Sequence, residues 1–312
     1  MNYKTIAKSA CSLVLLVVLL HEIHFGEILP YFKKISIPYL LVVILFSLLS
    51  SVLAIGRWIL VMRSLKAPKS HFFYAKSYFK GITFNQVLPS NIGGDGYRMI
   101  DITKLGIPRR LAVTSVLADR LLGFAGLLIP TLFFLPKAYE LLPFPIFISG
   151  SLLTLAGSLA ILSLYYFNRI KIKWLQKHGR WIYDLSHTLT ASFDSTSDLL
   201  YKLTLSITTN LLNSISFYFI ALSLGIGVSL TDFIIIIPLV TIIMMVPISI
   251  AGWGVREGAL VLLGSAIGIS APAALAISLL SGFISMLTSV PGLYFYMVET
   301  IRDHKKRASS GA

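Results

Sequence analysis

Charged side chains of either sign are few in this sequence, acidic ones especially, and cysteine is nearly absent. Lys, Arg, Asp and Glu make up 13% of 312 residues, while 56% are hydrophobic and the mean hydropathy is +0.82. That composition leaves too little polar surface to cover a water-soluble globule, so a soluble domain is excluded and an integral membrane protein is indicated. The single cysteine, Cys11, excludes an intrachain disulfide and with it a disulfide-stapled secreted domain. Of six histidines only His21 and His24 share helical spacing. With no second ligand pair they read as loop residues rather than a metal site. The sequence also lacks the Gly-Lys-Ser/Thr ending of a nucleotide loop, a Gly-x-Ser-x-Gly elbow and a His-Glu-x-x-His helix. Nucleotide binding is therefore excluded, and no cofactor or metal is expected.

What is present is a series of apolar runs bounded by Lys and Arg. The 27 basic residues against 13 acidic ones give a formal charge of +14. Because they lie between apolar runs rather than along one soluble face, they fit the positive-inside rule and not nucleic-acid binding. A membrane span needs roughly 20 mostly apolar residues. Segments 6–25, 35–58, 111–135, 145–167, 203–224 and 271–298 meet that need, the last read as interrupted at Pro291 and Gly292. The first follows Lys4 and Lys8 but has no small-x-small cleavage site, so it reads as an uncleaved span. Arg57 and Trp58 read as an interfacial cap on the second span. Between the fourth and fifth spans, 170–200 is amphipathic, with Trp174, Trp181, Leu185 and Leu189 close to one face. It reads as an interfacial linker, and the polar stretch 192–198 as the boundary between halves of about 1–168 and 201–312.

Two segments carry a repeated motif. The first reads Pro89-Ser-Asn-Ile-Gly-Gly-Asp-Gly-Tyr-Arg98. About 158 residues later comes Pro247-Ile-Ser-Ile-Ala-Gly-Trp-Gly-Val-Arg256, and five of the ten overlaid positions agree. Segment 72–88 before the first copy is too polar for an ordinary span and too apolar for a solvated loop. Segment 230–246 overlays it before the second copy. Both read as re-entrant helices that break at a proline. Non-helical backbone at membrane depth persists only where protein shields it or it lines a wet cavity. With six full spans and both termini cytoplasmic, the second span and its overlaid partner, the fifth, run in opposite senses. The expected fold is an all-α membrane protein of about six spans plus two re-entrant segments in inverted repeats, an arrangement found in alternating-access transporters. Eight full spans is the alternative, because 230–246 is apolar and nearly long enough to cross.

The candidate substrate-binding residues are Asp95, Arg98, Asp119, Arg120, Arg256 and Glu257. Guanidinium groups in a low-dielectric cavity suit a phosphate, to which they offer a planar fork. The carboxylates would balance them or hold a cationic headgroup. Asp119 and Arg120, adjacent on one helix, do not face each other and need other partners. The plain alternative is structural pairing, for example of Asp119 with Arg256. Pro89, Gly93, Gly94 and Gly96, with Pro247, Gly252 and Gly254, form the motif backbone, and the glycines read alternatively as points of close helix packing. Asn210 and Asn213 read as amides bonding between helices.

Leu88 to Arg98, Ala118-Asp-Arg120 and Pro247 to Glu257 resemble, in order and spacing, the lysylphosphatidylglycerol synthase transmembrane-region family, also called flippase-like domain proteins. The resemblance implies movement of an aminoacylated phospholipid between leaflets, in relatives joined to a soluble domain that makes the lipid. This chain ends at Ala312 without such a domain, so it resembles a stand-alone member, for which lysyl-lipid synthesis is not implied and polyprenyl-linked sugars or hopanoids are other candidates. The expected location is a bacterial or archaeal cell (inner) membrane. The expected function is that of a lipid flippase, moving a phospholipid or polyprenyl-linked headgroup. One alternative is an intramembrane transferase on a lipid-linked donor, with Asp95 or Asp119 as general base. Another is a non-catalytic partner of a lipid-modifying enzyme. Partners are a membrane lipid and either such an enzyme or a second copy of the chain.

Overall fold

The computed structural model describes residues 23, 25–68, 70–88, 93–167, 169, 180–245, 249 and 251–310. Cys11, His21, His24, Trp174, the motif prolines Pro89 and Pro247, and nearly all of the span expected at 6–25 lie outside the described residues. Those described form twelve α-helices and no strand. In chain order they are α1 (Phe25–Lys33), α2 (Ile37–Ser64), α3 (His71–Val87), α4 (Gly93–Thr103), α5 (Arg109–Phe133) and α6 (Leu135–Leu141). There follow α7 (Phe144–Phe167), α8 (Arg180–Ala191), α9 (Thr196–Ser223), α10 (Leu230–Met244), α11 (Val255–Ser265) and α12 (Ala271–Ser310).

Five of these, α2, α5, α7, α9 and α12, are long and apolar enough to cross a membrane. They coincide with the runs expected at 35–58, 111–135, 145–167, 203–224 and 271–298. The chain is an all-helical integral membrane protein. Its helix starts follow local chemistry. Pro38 opens α2, where a missing N–H costs nothing. The Ser195 hydroxyl accepts from Asp198 N at 3.2 Å before α9, and that of Ser229 from Thr231 N at 3.2 Å before α10.

Seven helices are too short to cross alone, and four of them, α3, α4, α10 and α11, carry or precede the motifs. At 1.5 Å per residue α3 is about 26 Å long, α10 about 23 Å, and α4 and α11 about 17 Å each, against roughly 30 Å of hydrocarbon. They fill the bundle interior. α3 lies along α12, and α2 and α5 both lie along α9. Contact between α5 and α10 and between α2 and α12 is slight by comparison. The largest apolar core joins α9 to α12 around Phe233, Ile236, Leu260 and Leu275. A smaller one gathers Trp58, Met62, Tyr74 and Ile102.

Three sequence readings are corrected. Arg57 and Trp58 are not an interfacial cap: α2 continues to Ser64, and both side chains are buried in the bundle. Pro291 does not interrupt the last span, because α12 runs through it. Thr83 Oγ1 donates to Ser289 O at 2.7 Å and Gln86 Nε2 to Ser285 O at 3.4 Å, so α3 supplies hydrogen bonds to α12 carbonyls before the proline. Trp181 does not share the buried face of α8 with Leu185 and Leu189. Arg110 pairs with Asp184, and the Thr188 hydroxyl donates to Thr114 Oγ1 at 3.0 Å. That register sets Trp181 beyond the start of α5, where no described residue covers it.

Candidate functional site

Two of the short helices meet at glycine. A Cβ on Gly94 would collide with the Gly81 carbonyl, so α3 and α4 approach backbone to backbone only because neither position has a side chain. The Gly94 N–H then donates to Asn85 Oδ1 at 2.7 Å, giving the start of α4 an acceptor. The approach brings Asp95 and Arg98, one turn apart on α4, against Asp119 and Arg120 on α5.

The result is a closed ionic network. Arg98 donates to Asp95 Oδ1 at 3.2 Å and to Asp119 Oδ2 at 3.0 Å, while its guanidinium lies 3.9 Å from the Trp58 ring and 4.4 Å from that of Tyr78. Arg57 donates to the other Asp119 oxygen at 2.8 Å and to Ser206 Oγ at 3.1 Å. Arg120 pairs with Asp95. Arg57, Asp95, Arg98 and Asp119 are buried, whereas the Arg120 side chain is 40% exposed. Asp119 and Arg120, as neighbours on a helix, did need partners from elsewhere.

This network lines a cavity of about 270 Å³ between α2, α3, α4, α5, α9 and α10. Asn210 reaches it from α9 and also donates to Gly123 O at 3.2 Å, the interhelical bond expected of that amide. Its charged lining residues are three guanidiniums, Arg57, Arg98 and Arg120, and two carboxylates, Asp95 and Asp119, which leaves one positive charge in excess.

A second cavity of about 240 Å³ lies between α2, α9, α10, α11 and α12 and shares Arg120, Thr241 and Met245 with the first. The two therefore border one another at Arg120. The slight contacts, α5 against α10 and α2 against α12, flank these spaces. Arg256 and Glu257 sit at this end. Arg256 donates to Glu257 Oε1 at 2.7 Å and to Ser278 Oγ at 3.0 Å, and its guanidinium lies 4.8 Å from the Trp253 ring. Glu257 also accepts from Gly254 N at 2.6 Å, as a residue three places into a helix does in a capping box. Gly254 has φ +83°, so the second motif needs glycine for its backbone conformation, where the first needs it for close approach.

Asp95, Arg98, Asp119 and Arg120 thus come together. Arg256 and Glu257 form a separate pair, and the suggested partnership of Asp119 with Arg256 is not made: Asp119 is held by Arg57 and Arg98. Gly93, Gly94 and Gly96 open α4, while Gly252 and Gly254 form the turn into α11. Arg57 was missed as a site residue. The available signal was that the apolar run resumes after it, Trp58-Ile-Leu-Val-Met62, so the arginine sits within a helix rather than at its end. A second missed group, Lys80, bonds Asp101 at 2.8 Å and Glu299 at 2.5 Å, with Lys104 closing the cluster on the same two carboxylates. Among the described residues no cluster of His, Cys, Asp and Glu fits a metal ion.

None of the curated proteins matches the sequence. A family profile does, over residues 5–292, covering both motifs, the residues that line both cavities, the first four described spans and the first part of α12. By that match the chain belongs to the family described as the lysylphosphatidylglycerol synthase TM region.

Proposed function

We propose that the protein is a translocase that moves a membrane lipid with an anionic headgroup between leaflets. Family membership ties the chain to membrane-lipid chemistry, and the observation that carries the finer reading is the excess positive charge in the first cavity. Three guanidiniums share two carboxylates, so one positive charge goes unbalanced in low dielectric, which is costly, and an anionic ligand that enters offsets that cost. Each cavity has room for several waters, which occupy roughly 30 Å³ each in the liquid, and so for a headgroup rather than a whole lipid. Arg120, common to both cavities and partly exposed to them, is the group that meets the phosphate. Arg98, wedged between two rings and two carboxylates, holds the site together.

An inverted repeat of halves 1–168 and 201–312, joined through 169–200, is supported by element lengths. Shifted by about 158 residues, Ile37–Ser64 and His71–Val87 fall within about one residue of Thr196–Ser223 and Leu230–Met244. α4 and α11 have 11 residues each, and each motif arginine pairs with a nearby acid and packs on a tryptophan. On this reading α3–α4 and α10–α11 are the re-entrant pairs, entering from opposite faces. Packing differs between the halves: α3 is close to α12 while α10 is loose from α5, and α5 is close to α9 while α12 is loose from α2. A two-state transporter caught in one state has this asymmetry. With no nucleotide loop, transport is passive or ion-coupled. Both termini are cytoplasmic, in a bacterial or archaeal inner membrane.

The transferase alternative is weaker because Asp95 and Asp119 each accept from two guanidiniums, which leaves neither carboxylate unengaged for a lipid hydroxyl. The test is reconstitution. Liposomes containing the purified chain are expected to expose labelled anionic headgroups faster than empty ones, with Arg120→Ala and Arg256→Ala slower than wild type. Equal rates in all three proteins would refute the site, and a wild-type rate equal to empty liposomes would refute the translocase.

A further inference from the structure

The two adjoining cavities differ in chemistry, and the difference selects a class of headgroup. In the first, each carboxylate is already taken: Asp95 by Arg98 and Arg120, Asp119 by Arg57 and Arg98. In the second, the acid beside the space, Glu257, is fully buried and taken by Arg256, Ser278 and the Gly254 amide. Among the described residues neither cavity offers a carboxylate to an ammonium group. An incoming cation would meet an excess of positive charge and find no counter-ion.

The second cavity has a half-apolar lining with Arg120 and Arg256 on it, and its uncharged polar groups include Ser47 on α2, Asn213 and Ser216 on α9, and Ser281 and Ser285 on α12. Three of the hydroxyls, Ser216, Ser281 and Ser285, donate to carbonyls of their own helices at 2.7–2.9 Å. Their protons are used, and their oxygens remain as acceptors. The Asn213 amide can both donate and accept. Such a lining suits a ligand rich in hydroxyl donors.

We infer that the substrate is a phosphodiester lipid whose headgroup is an uncharged polyol, a glycerol or sugar, with the phosphate at Arg120 and the hydroxyls in the serine-lined cavity, and that aminoacylated or other cationic headgroups are selected against. The inference rests on the translocase reading for the occupant being a lipid. A phosphodiester carries a single negative charge, which matches the single excess positive charge, whereas a phosphomonoester approaches −2 near neutral pH.

The experiment measures binding, so it does not depend on transport. The full chain in detergent is titrated by native mass spectrometry with short-chain phosphatidylinositol, phosphatidylglycerol, phosphatidic acid and lysyl-phosphatidylglycerol, and with free glycerophosphate. Phosphatidylinositol and phosphatidylglycerol are expected to bind about tenfold or more tighter than the lysyl lipid, with phosphatidic acid between them. The double variant Asn213→Leu, Ser281→Val is expected to erase the advantage of phosphatidylinositol over phosphatidic acid and keep discrimination against the lysyl lipid. Lysyl-lipid binding equal to or tighter than that of the polyol lipids overturns the inference. So does an unchanged phosphatidylinositol preference in a double variant that keeps the wild-type Tm. A double variant with a lowered Tm is replaced by Ser281→Ala alone, expected to reduce that preference; no reduction likewise overturns the inference. Glycerophosphate binding as tightly as the lipids would overturn the lipid occupant, and with it the translocase, while leaving the headgroup chemistry standing. The expected preferences without headgroup exposure in liposomes would support the inference and refute the translocase alone.

Discussion

Asp119 and Arg120 are adjacent in sequence, yet they do different work. Asp119 is buried and holds two guanidiniums, so Asp119→Ala leaves Arg57 and Arg98 short of their shared counter-charge in low dielectric. A loss of about 3–5 kcal/mol is expected, as for other buried pairs broken on one side. Thermal unfolding in detergent would show it as a large drop in Tm. Arg120 is partly exposed, and its partner Asp95 keeps Arg98 when it is removed. Arg120→Ala is therefore expected to leave Tm close to wild type while slowing headgroup exposure, and a Tm loss as large as that of Asp119→Ala would show that its role is structural. At the other end, a Cβ on Gly282 would collide with Arg256 and with the Trp253 ring. Gly282→Ala is expected to displace both and to slow transport about as much as Arg256→Ala, measured in the same liposome assay.

Between elements, the cluster of Lys80, Asp101, Lys104 and Glu299 ties α3 and α4 to α12. The positions overlaid on Lys80 and Asp101 in the second half are Pro238 and Ala259, so those positions supply no matching ion pair between α10 and α11. The first-half cluster supports the close packing of α3 on α12. Lys80 is 2% exposed in its side chain and Lys104 50%. Burial alone would lower the pKa of the Lys104 ammonium, but hydrogen bonds to Asp101 and Glu299 raise it above the ordinary lysine value, so it stays charged at neutral pH. Lys80→Ala is nevertheless expected to lower Tm by several times as much as Lys104→Ala, because an exposed pair is screened by solvent and a buried one is not. Comparable shifts would mean that the buried ammonium contributes nothing beyond the exposed one. The five long helices were legible in the sequence as apolar runs. The tie between α3 and α12 was not, since Lys80 and Glu299 lie 219 residues apart and the lysines read as positive-inside markers.

For the whole molecule, the proposed inverted halves make a prediction about sidedness. In a Cys11→Ser background no native thiol remains. Arg109 is exposed at the start of α5, and Gly227 is exposed in the turn between α9 and α10. Arg109→Cys is expected to label with an impermeant maleimide from the cytoplasmic face and Gly227→Cys from the opposite face. Labelling of both from one face would refute the inverted arrangement.

Composition and hydropathy determined that this chain is an all-helical membrane protein, and the two short motifs determined its family, because both signals are local and survive without knowledge of what packs on what. The candidate charges were also visible, since an ionisable residue inside an apolar run stands out wherever it goes. Their partners were decided only by tertiary structure. Whether Asp119 meets Arg256 or Arg57 depends on how α2, α4 and α5 converge, which the backbone approach at Gly81 and Gly94 sets. The charge balance of the cavity follows from that convergence, because the excess exists only when Arg57 joins the group, and nothing local in the sequence places it there.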